Sequence, residues 1–348
     1  MSSRRLGRPL TIAIETVLIG GLVVLFIVIL DPQRLREDFG RITAVTLLGL
    51  MAFQVGIHAM GMLQWLVLLR QAGIRAGPWK VFRARLSGTA ITSLTPAASF
   101  AGEPVRGALL KDHATTYRRV FATIAVDKYI ELFTKLPMGA LGFGFLIFSV
   151  HPGAVLVVVS ALFVAFSLGI FLLVMVRLFQ GGSFIVRLFK RLVRPLARVR
   201  LRAAARVVHV VRDFTRSVSH LVRSRRALYL AMLLGVLLSA IELGQYAYVL
   251  AVLGVPSVGN AAILYFSHLF VGLVGFIPGN VGTTEGMFLF AFTLLGLGSN
   301  RSLIFSIILR IGQLVMVALG LCNLVVTRVA GRVLREAVKG ADRIRTGA

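Results

Sequence analysis

Thr95-Pro96-Ala97-Ala98-Ser99-Phe100-Ala101-Gly102-Glu103-Pro104 and Ile277-Pro278-Gly279-Asn280-Val281-Gly282-Thr283-Thr284-Glu285-Gly286 interrupt a chain otherwise built of long apolar runs. Proline and glycine at this density break helices, so Pro96 and Gly102 in the first stretch, and Pro278, Gly279 and Gly282 in the second, mark backbone that turns back. The breaks lie inside two apolar regions, 86–111 and 261–298. Charge puts both flanks of each region on one side of a membrane: Arg85 with Lys111 inside, and the neutral 254–260 with Arg301 outside. Both regions therefore read as re-entrant hairpins entering from opposite faces. The competing reading is a pair of short ordinary helices joined by a surface loop.

The rest of the chain requires a membrane. Of 348 residues 57% are hydrophobic and only 15% charged, and the mean hydropathy is +0.87. That is too little charge to cover a soluble surface. Crossing the hydrocarbon takes about 20 apolar residues, and six segments qualify: 10–30, 42–69, 119–149, 153–176, 227–253 and 302–327. The expected fold is an all-α polytopic membrane protein with six transmembrane helices plus two re-entrant hairpins. Segment 10–30 follows Arg4, Arg5 and Arg8 as a signal peptide would, but its apolar run is too long and no small-residue cleavage site precedes Asp31-Pro32, so it reads as a retained helix.

Several function classes drop out. The single cysteine, Cys322, allows no intrachain disulfide and no thiolate metal cluster. The longest polar stretch, near 177–226, is too short and too basic to form a soluble catalytic core. No nucleophile with its base, no metal-ligand cluster and no phosphate-cradling glycine loop is present. Transport is expected rather than catalysis, with no catalytic residue, cofactor or metal assigned.

Lys and Arg number 39 against 13 Asp and Glu, a formal charge of +26. The excess gathers at the amino terminus (1–9), in 70–85, and in a tail (328–348) that carries Arg328, Arg332, Arg335, Lys339, Arg343 and Arg345. The positive-inside rule makes all three cytoplasmic, in a multi-pass protein of the inner, plasma membrane. Within the linker 181–226, Phe184, Leu188, Leu192 and Leu196 recur at helical spacing among Arg187, Lys190, Arg191, Arg194 and Arg198. This is a basic amphipathic segment suited to anionic lipid headgroups. The apolar stripe and short tethers favour lipid over nucleic acid, which is not expected as a partner.

The two breaks share one offset. Pro96 and Pro278 differ by 182, as do Glu103 and Glu285, Arg119 and Arg301, and Lys128 and Arg310. The order helix, helix, hairpin, helix over 10–149 recurs over 153–327 with the opposite starting side. That is an inverted repeat, in which discontinuous helices meet near the midplane and frame a substrate site.

Charge at that depth selects the candidate residues. Glu103 and Glu285 each open the second limb of a hairpin. They are either first-turn acids favoured by the helix dipole, with Thr283 or Thr284 as a cap, or carboxylates able to bind an amine or carry a proton. Arg106 lies one turn after Glu103 and can pair with it, yet guanidinium also suits bidentate phosphate binding; Phe288 stands at the matching position of the second repeat. Asp127, Glu131 and Lys135 share a helix face adjoined by Lys128, either as a packing network or as the lining of a polar pathway. Arg310 has Gln313 one turn on and no acid nearby in sequence, so its partner is expected from elsewhere: Glu285, Asp127 or a substrate phosphate. Glu242, with Gln245 and Tyr246, is a weaker candidate, and His268 is expected to be a satisfied structural histidine.

The run Ser93 to Pro96, Ala101 to Arg106 with Leu109-Leu110, and Ile277 to Gly282 with Glu285-Gly286, resembles the lysylphosphatidylglycerol synthase transmembrane, or flippase-like, family. Asp127-Lys128-x-x-Glu131 is similar to that family's Glu-Arg-x-x-Asp helix with conservative exchanges. The resemblance covers about 10–330 and implies a membrane unit that flips a lipid. Lysyl transfer, which belongs to a soluble domain in fused relatives, is not implied here. Standalone relatives suggest glycolipid, polyprenyl-linked or hopanoid pathways, with a lipid-modifying enzyme or glycosyltransferase as candidate partner. The expected function is translocation of an anionic or zwitterionic lipid, with Arg106, Arg310, Glu103, Glu285 and Lys128 on substrate and Asp127, Glu131, Lys135 and Glu242 coupled to them. A small organic-anion transporter, or a non-transporting accessory or enzyme subunit, is the alternative.

Overall fold

The computed structural model describes residues 40, 42–94, 102–110, 117–150, 225–274 and 280–346, with scattered positions between 153 and 169 and at 218 and 221. Eight helices carry the architecture: α1 (Ala44–Gln71), α2 (Pro78–Leu94), α3 (Glu103–Leu110), α4 (Tyr117–Val150), α5 (Arg225–Val252), α6 (Val258–Val274), α7 (Thr283–Leu294) and α8 (Ser299–Thr346). Four stretches are long and apolar enough to cross a membrane: Ala44–Gln71, Arg119–Ser149, Arg225–Val252 and Ser299–Thr327. The expected span 10–30 lies outside the described residues, as does most of the linker 181–226. Of span 153–176, Val157–Phe166 is a short apolar helix.

The local reasons are plain. Thr43 caps α1 through a reciprocal capping box with Thr46. Gly73 and Gly254, at φ 73 and 74, terminate α1 and α5 in the left-handed region that glycine enters without strain. Helix α2 starts at Pro78, so residues 78–85 of the basic stretch 70–85 are helical. Arg85 is the eighth residue of this helix and is buried, 9% exposed. The basic tail continues α8 as helix through Thr346.

The repeat reappears in the helices themselves. Helices α1 and α5 are both 28 residues long, and α2 and α6 are both 17. Helix α4 begins at 117 and α8 at 299, again 182 apart. Packing follows the same exchange: α1 lies on α5, α2 on α8 and α6 on α4, so each first hairpin limb rests on the last long helix of the other repeat. Helix α2 also packs on α3, and α6 on α7, while the breaks at Pro96, Pro278 and Gly279 lie outside the described residues.

Among the described residues the outer face is apolar, and the apolar interior encloses a buried charged cluster. Leu141, Phe145 and Phe148 on α4, Leu230 and Leu233 on α5, and Leu314 and Leu319 on α8 are all exposed, whereas Glu103, Arg106 and Asp127 are buried. A lipid solvent accounts for such a surface, and ion pairing accounts for such an interior.

Candidate functional site

A cavity of about 370 Å³ lies where the two broken helix pairs meet, and residues of both repeats line it. Its first-repeat wall is an ion network centred on Asp127, which is fully buried. The Asp127 carboxylate accepts from Arg85 at 3.0 Å, Arg106 at 2.7 Å and Gln64 at 2.9 Å. Arg106 also donates to Glu103 at 3.0 Å, and its guanidinium carbon lies 4.1 Å from the Trp65 ring centroid, a cation–π contact. Lys128 bridges Glu103 at 3.5 Å and Glu131 at 3.2 Å. Lys135 joins Glu131 at 3.5 Å to Glu242 at 2.9 Å, and so ties the first repeat to the second. The second oxygen of Glu242 accepts from the Tyr265 hydroxyl at 2.9 Å.

Small residues make room for this. A Cβ on Gly61 would strike the Arg85 guanidinium, and one on Gly88 would strike the stem of Arg106. A Cβ on Gly102 would run into the Gly88 carbonyl, so α2 and the start of α3 approach this closely only with glycine at both positions. The Gly102 amide donates to Thr92 Oγ1 at 3.1 Å, which satisfies backbone at the break.

The second hairpin repeats one element of this chemistry. Glu285 accepts from Arg310 Nε at 2.9 Å and from the Gly282 amide at 2.6 Å, and the Arg310 guanidinium also reaches the Asn280 carbonyl at 3.3 Å and Gln313 at 3.1 Å. The capping and pairing roles of Glu285 are thus held together, one on each carboxylate oxygen. Thr283 donates to the Asn280 carbonyl at 3.0 Å and does not cap the helix. The offset of 182 carries Glu103 onto Glu285 and Lys128 onto Arg310, and these are paired in both halves, Lys128 with Glu103 and Arg310 with Glu285. Four positions related by the offset thus form two ion pairs, at 3.5 and 2.9 Å.

The charges balance. Arg85, Arg106, Lys128, Lys135 and Arg310 face Glu103, Asp127, Glu131, Glu242 and Glu285, five against five. All but Asp127 line the cavity. Lys128, Arg310 and Lys135 are the most open of the cations, with side chains 28%, 23% and 19% exposed, against 3% for Arg106.

The family model for the lysylphosphatidylglycerol synthase TM region matches residues 12–320. The chain belongs to this family. A protein named UPF0104 membrane protein, from Methanothermobacter thermautotrophicus, is 21% identical over 293 residues, 82% of this chain and 86% of its own length. Another UPF0104 membrane protein, from Pyrococcus horikoshii, is 21% identical over 234 residues, 64% of this chain and 69% of its own. No solved structure matches the chain.

In this family member every charged residue selected from the sequence lies on the cavity or directly behind it. Reading the sequence missed Arg85, placed with the cytoplasmic charges, although Val81, Arg85, Gly88 and Thr92 follow one helical face of which Val81, Arg85 and Gly88 are buried. Gln64 and Tyr265 were missed as well. Both are lone polar groups in apolar helices whose partners come from other helices, and no local spacing announces them. His268 departs from expectation: it lines the cavity, and its Nδ1 is buried with no hydrogen-bond partner.

Proposed function

We propose that this membrane protein moves an anionic or zwitterionic lipid between leaflets. One observation carries the reading: a charge-balanced cavity, open to both repeats, inside a shell whose outer face is apolar. In this reading a lipid phosphate takes the place of a carboxylate on Arg310 and Arg106, while Glu103 and Glu285 balance charge or take up a proton. Lys128 adds a point charge, and Asp127, Glu131, Lys135 and Glu242 couple the halves. Exchange of one anion for another on an existing cation costs less than burying a bare charge. The proposed topology has six spans and two re-entrant hairpins in inverted repeats, in the plasma membrane, with both termini cytoplasmic.

The test is fluorescent-lipid translocation in reconstituted vesicles, with folding checked by monodisperse elution. Arg→Lys at position 106 or 310 keeps charge and loses the fork, whereas Arg→Gln loses both. Transport is expected to fall in that order. Wild-type transport by a well-folded Glu103→Gln, Arg106→Gln double variant would show that this pair is structural and remove the phosphate role from Arg106.

A further inference from the structure

The two walls of the cavity differ in what they leave unmet. Among the described residues six side chains have a buried polar atom without a hydrogen-bond partner, and four of these residues line the cavity: Arg106, Gln245, His268 and Thr284. Three of the four come from the second repeat. They are Gln245 Nε2 on α5, His268 Nδ1 on α6 and Thr284 Oγ1 on α7, and Gln245 and Thr284 are only 4% and 5% exposed. Buried donors and acceptors are ordinarily paired, so three unmet atoms in one wall describe a complement that arrives with a ligand.

The three are organised by an aromatic cluster. The His268 ring stacks on Phe288 with centroids 6.0 Å apart, and the Tyr246 ring meets both edge-on at 6.2 and 6.0 Å. Thr284 lies one turn before Phe288 on α7, and Gln245 adjoins Tyr246 on α5. At the matching first-repeat position to Phe288 stands Arg106, bonded to two carboxylates. The second wall thus sets neutral hydrogen-bonding groups and aromatic rings beside its own ion pair, Arg310 with Glu285, where the first has a further buried arginine.

Chemistry narrows the complement. Gln245 Nε2 can only donate, and Thr284 can donate or accept. Glu242 and Glu285 line the same side and disfavour a second anion there, while a lone ammonium offers nothing for the amide to donate to. A group of vicinal hydroxyls donates and accepts at several points without charge. We infer that the second-repeat wall is a subsite for the hydroxyl-rich part of a headgroup, a polyol or sugar, beside the phosphate that Arg310 holds. This rests on the lipid-transport reading and names its substrate class.

The experiment measures binding of dioctanoyl phosphatidylinositol, phosphatidic acid and phosphatidylethanolamine to the full chain in detergent, with soluble inositol phosphate as a chain-free competitor. The expected ranking puts phosphatidylinositol at least about tenfold ahead of the other two, because a site built to bond hydroxyls discriminates strongly against ligands lacking them. Gln245→Leu with Thr284→Val should bring phosphatidylinositol down to the level of phosphatidic acid and leave phosphatidic acid unchanged. Thr284→Ser should retain the preference. Equal binding of all three lipids by the wild-type protein overturns the subsite and leaves lipid transport standing, a result that needs no variant to fold. No binding of any lipid overturns both. Soluble inositol phosphate binding as tightly as the lipid, with the same dependence on Gln245 and Thr284, supports the subsite and overturns the lipid reading.

Discussion

Asp127→Asn is the sharpest perturbation of the ion network. Asp127 is fully buried, 3.0 Å from Arg85 and 2.7 Å from Arg106. At an effective dielectric of about 20 these distances correspond to gross attractions of about 5.5 and 6 kcal/mol. Desolvation of the carboxylate offsets most of that, and removing one partner of such a buried group leaves a net cost of about 3–5 kcal/mol. The exchange also unbalances the local set, since Arg85, Arg106, Lys128 and Lys135 then face only Glu103, Glu131 and Glu242. Melting followed by loss of the monodisperse elution peak should drop by roughly 5–15 °C. Restoring neutrality with Arg85→Met in the same chain should recover part of the loss, so the double variant melts well above the sum of the singles. Glu285→Gln should cost less than half as much, because its pair with Arg310 is open to the cavity, with side chains 15% and 23% exposed. Additive effects of Asp127→Asn and Arg85→Met, or unchanged melting of Asp127→Asn alone, would refute the coupling.

Gly88→Ala and Gly102→Ala should each lower the yield of folded protein, because the new methyl meets the facing limb of the hairpin, whereas Gly144→Ala, with open space around it, should be neutral or stabilise by up to about 1 kcal/mol; equal yields across the three would show that the hairpin is loosely packed. With Cys322→Ser as background, a cysteine at Ser224 should label with a membrane-impermeant reagent only from the cytoplasmic side, and rapid labelling from outside would reverse the proposed topology.

The breaks and the charged residues were legible because both are expensive. Proline and glycine clusters in an apolar run, and carboxylates at membrane depth, persist only where something compensates them. The compensation could be named where both partners stand on one helix, as for Glu103 with Arg106 at i,i+3 and the Lys128–Glu131 face, and was narrowed for Arg310 to a short set that includes Glu285. It could not be named where the partner crosses between helices without any periodic cue. Lys135 with Glu242, 107 residues apart, and Arg85 with Asp127, 42 apart, are of that kind. Arg85 was further disguised by the charge rule, which counts a basic residue near a span as a flank whichever way its side chain turns.

The scaffold is close to symmetric and its chemistry is not, and that difference bears on how a headgroup would sit. Lys128–Glu103 and Arg310–Glu285 are one pair used twice. Around the first copy stand Arg106, Asp127 and Glu131, and the offset of 182 replaces them with Phe288, Leu309 and Gln313. The first copy is locked among further ion pairs, so moving its charges disturbs a connected set. The second has a carboxylate that caps α7 and an arginine that also reaches a carbonyl and an amide, so an anion arriving at Arg310 displaces one partner and leaves neutral ones in place. Rearrangement is therefore cheaper at the second hairpin. Lys135, which bonds Glu131 on one side and Glu242 on the other, is the ionic link through which a shift there reaches the locked half. In the proposed function, one stiff and one yielding half would give the two hairpins different weights, the first holding Arg106 within its network and the second yielding first to the ligand.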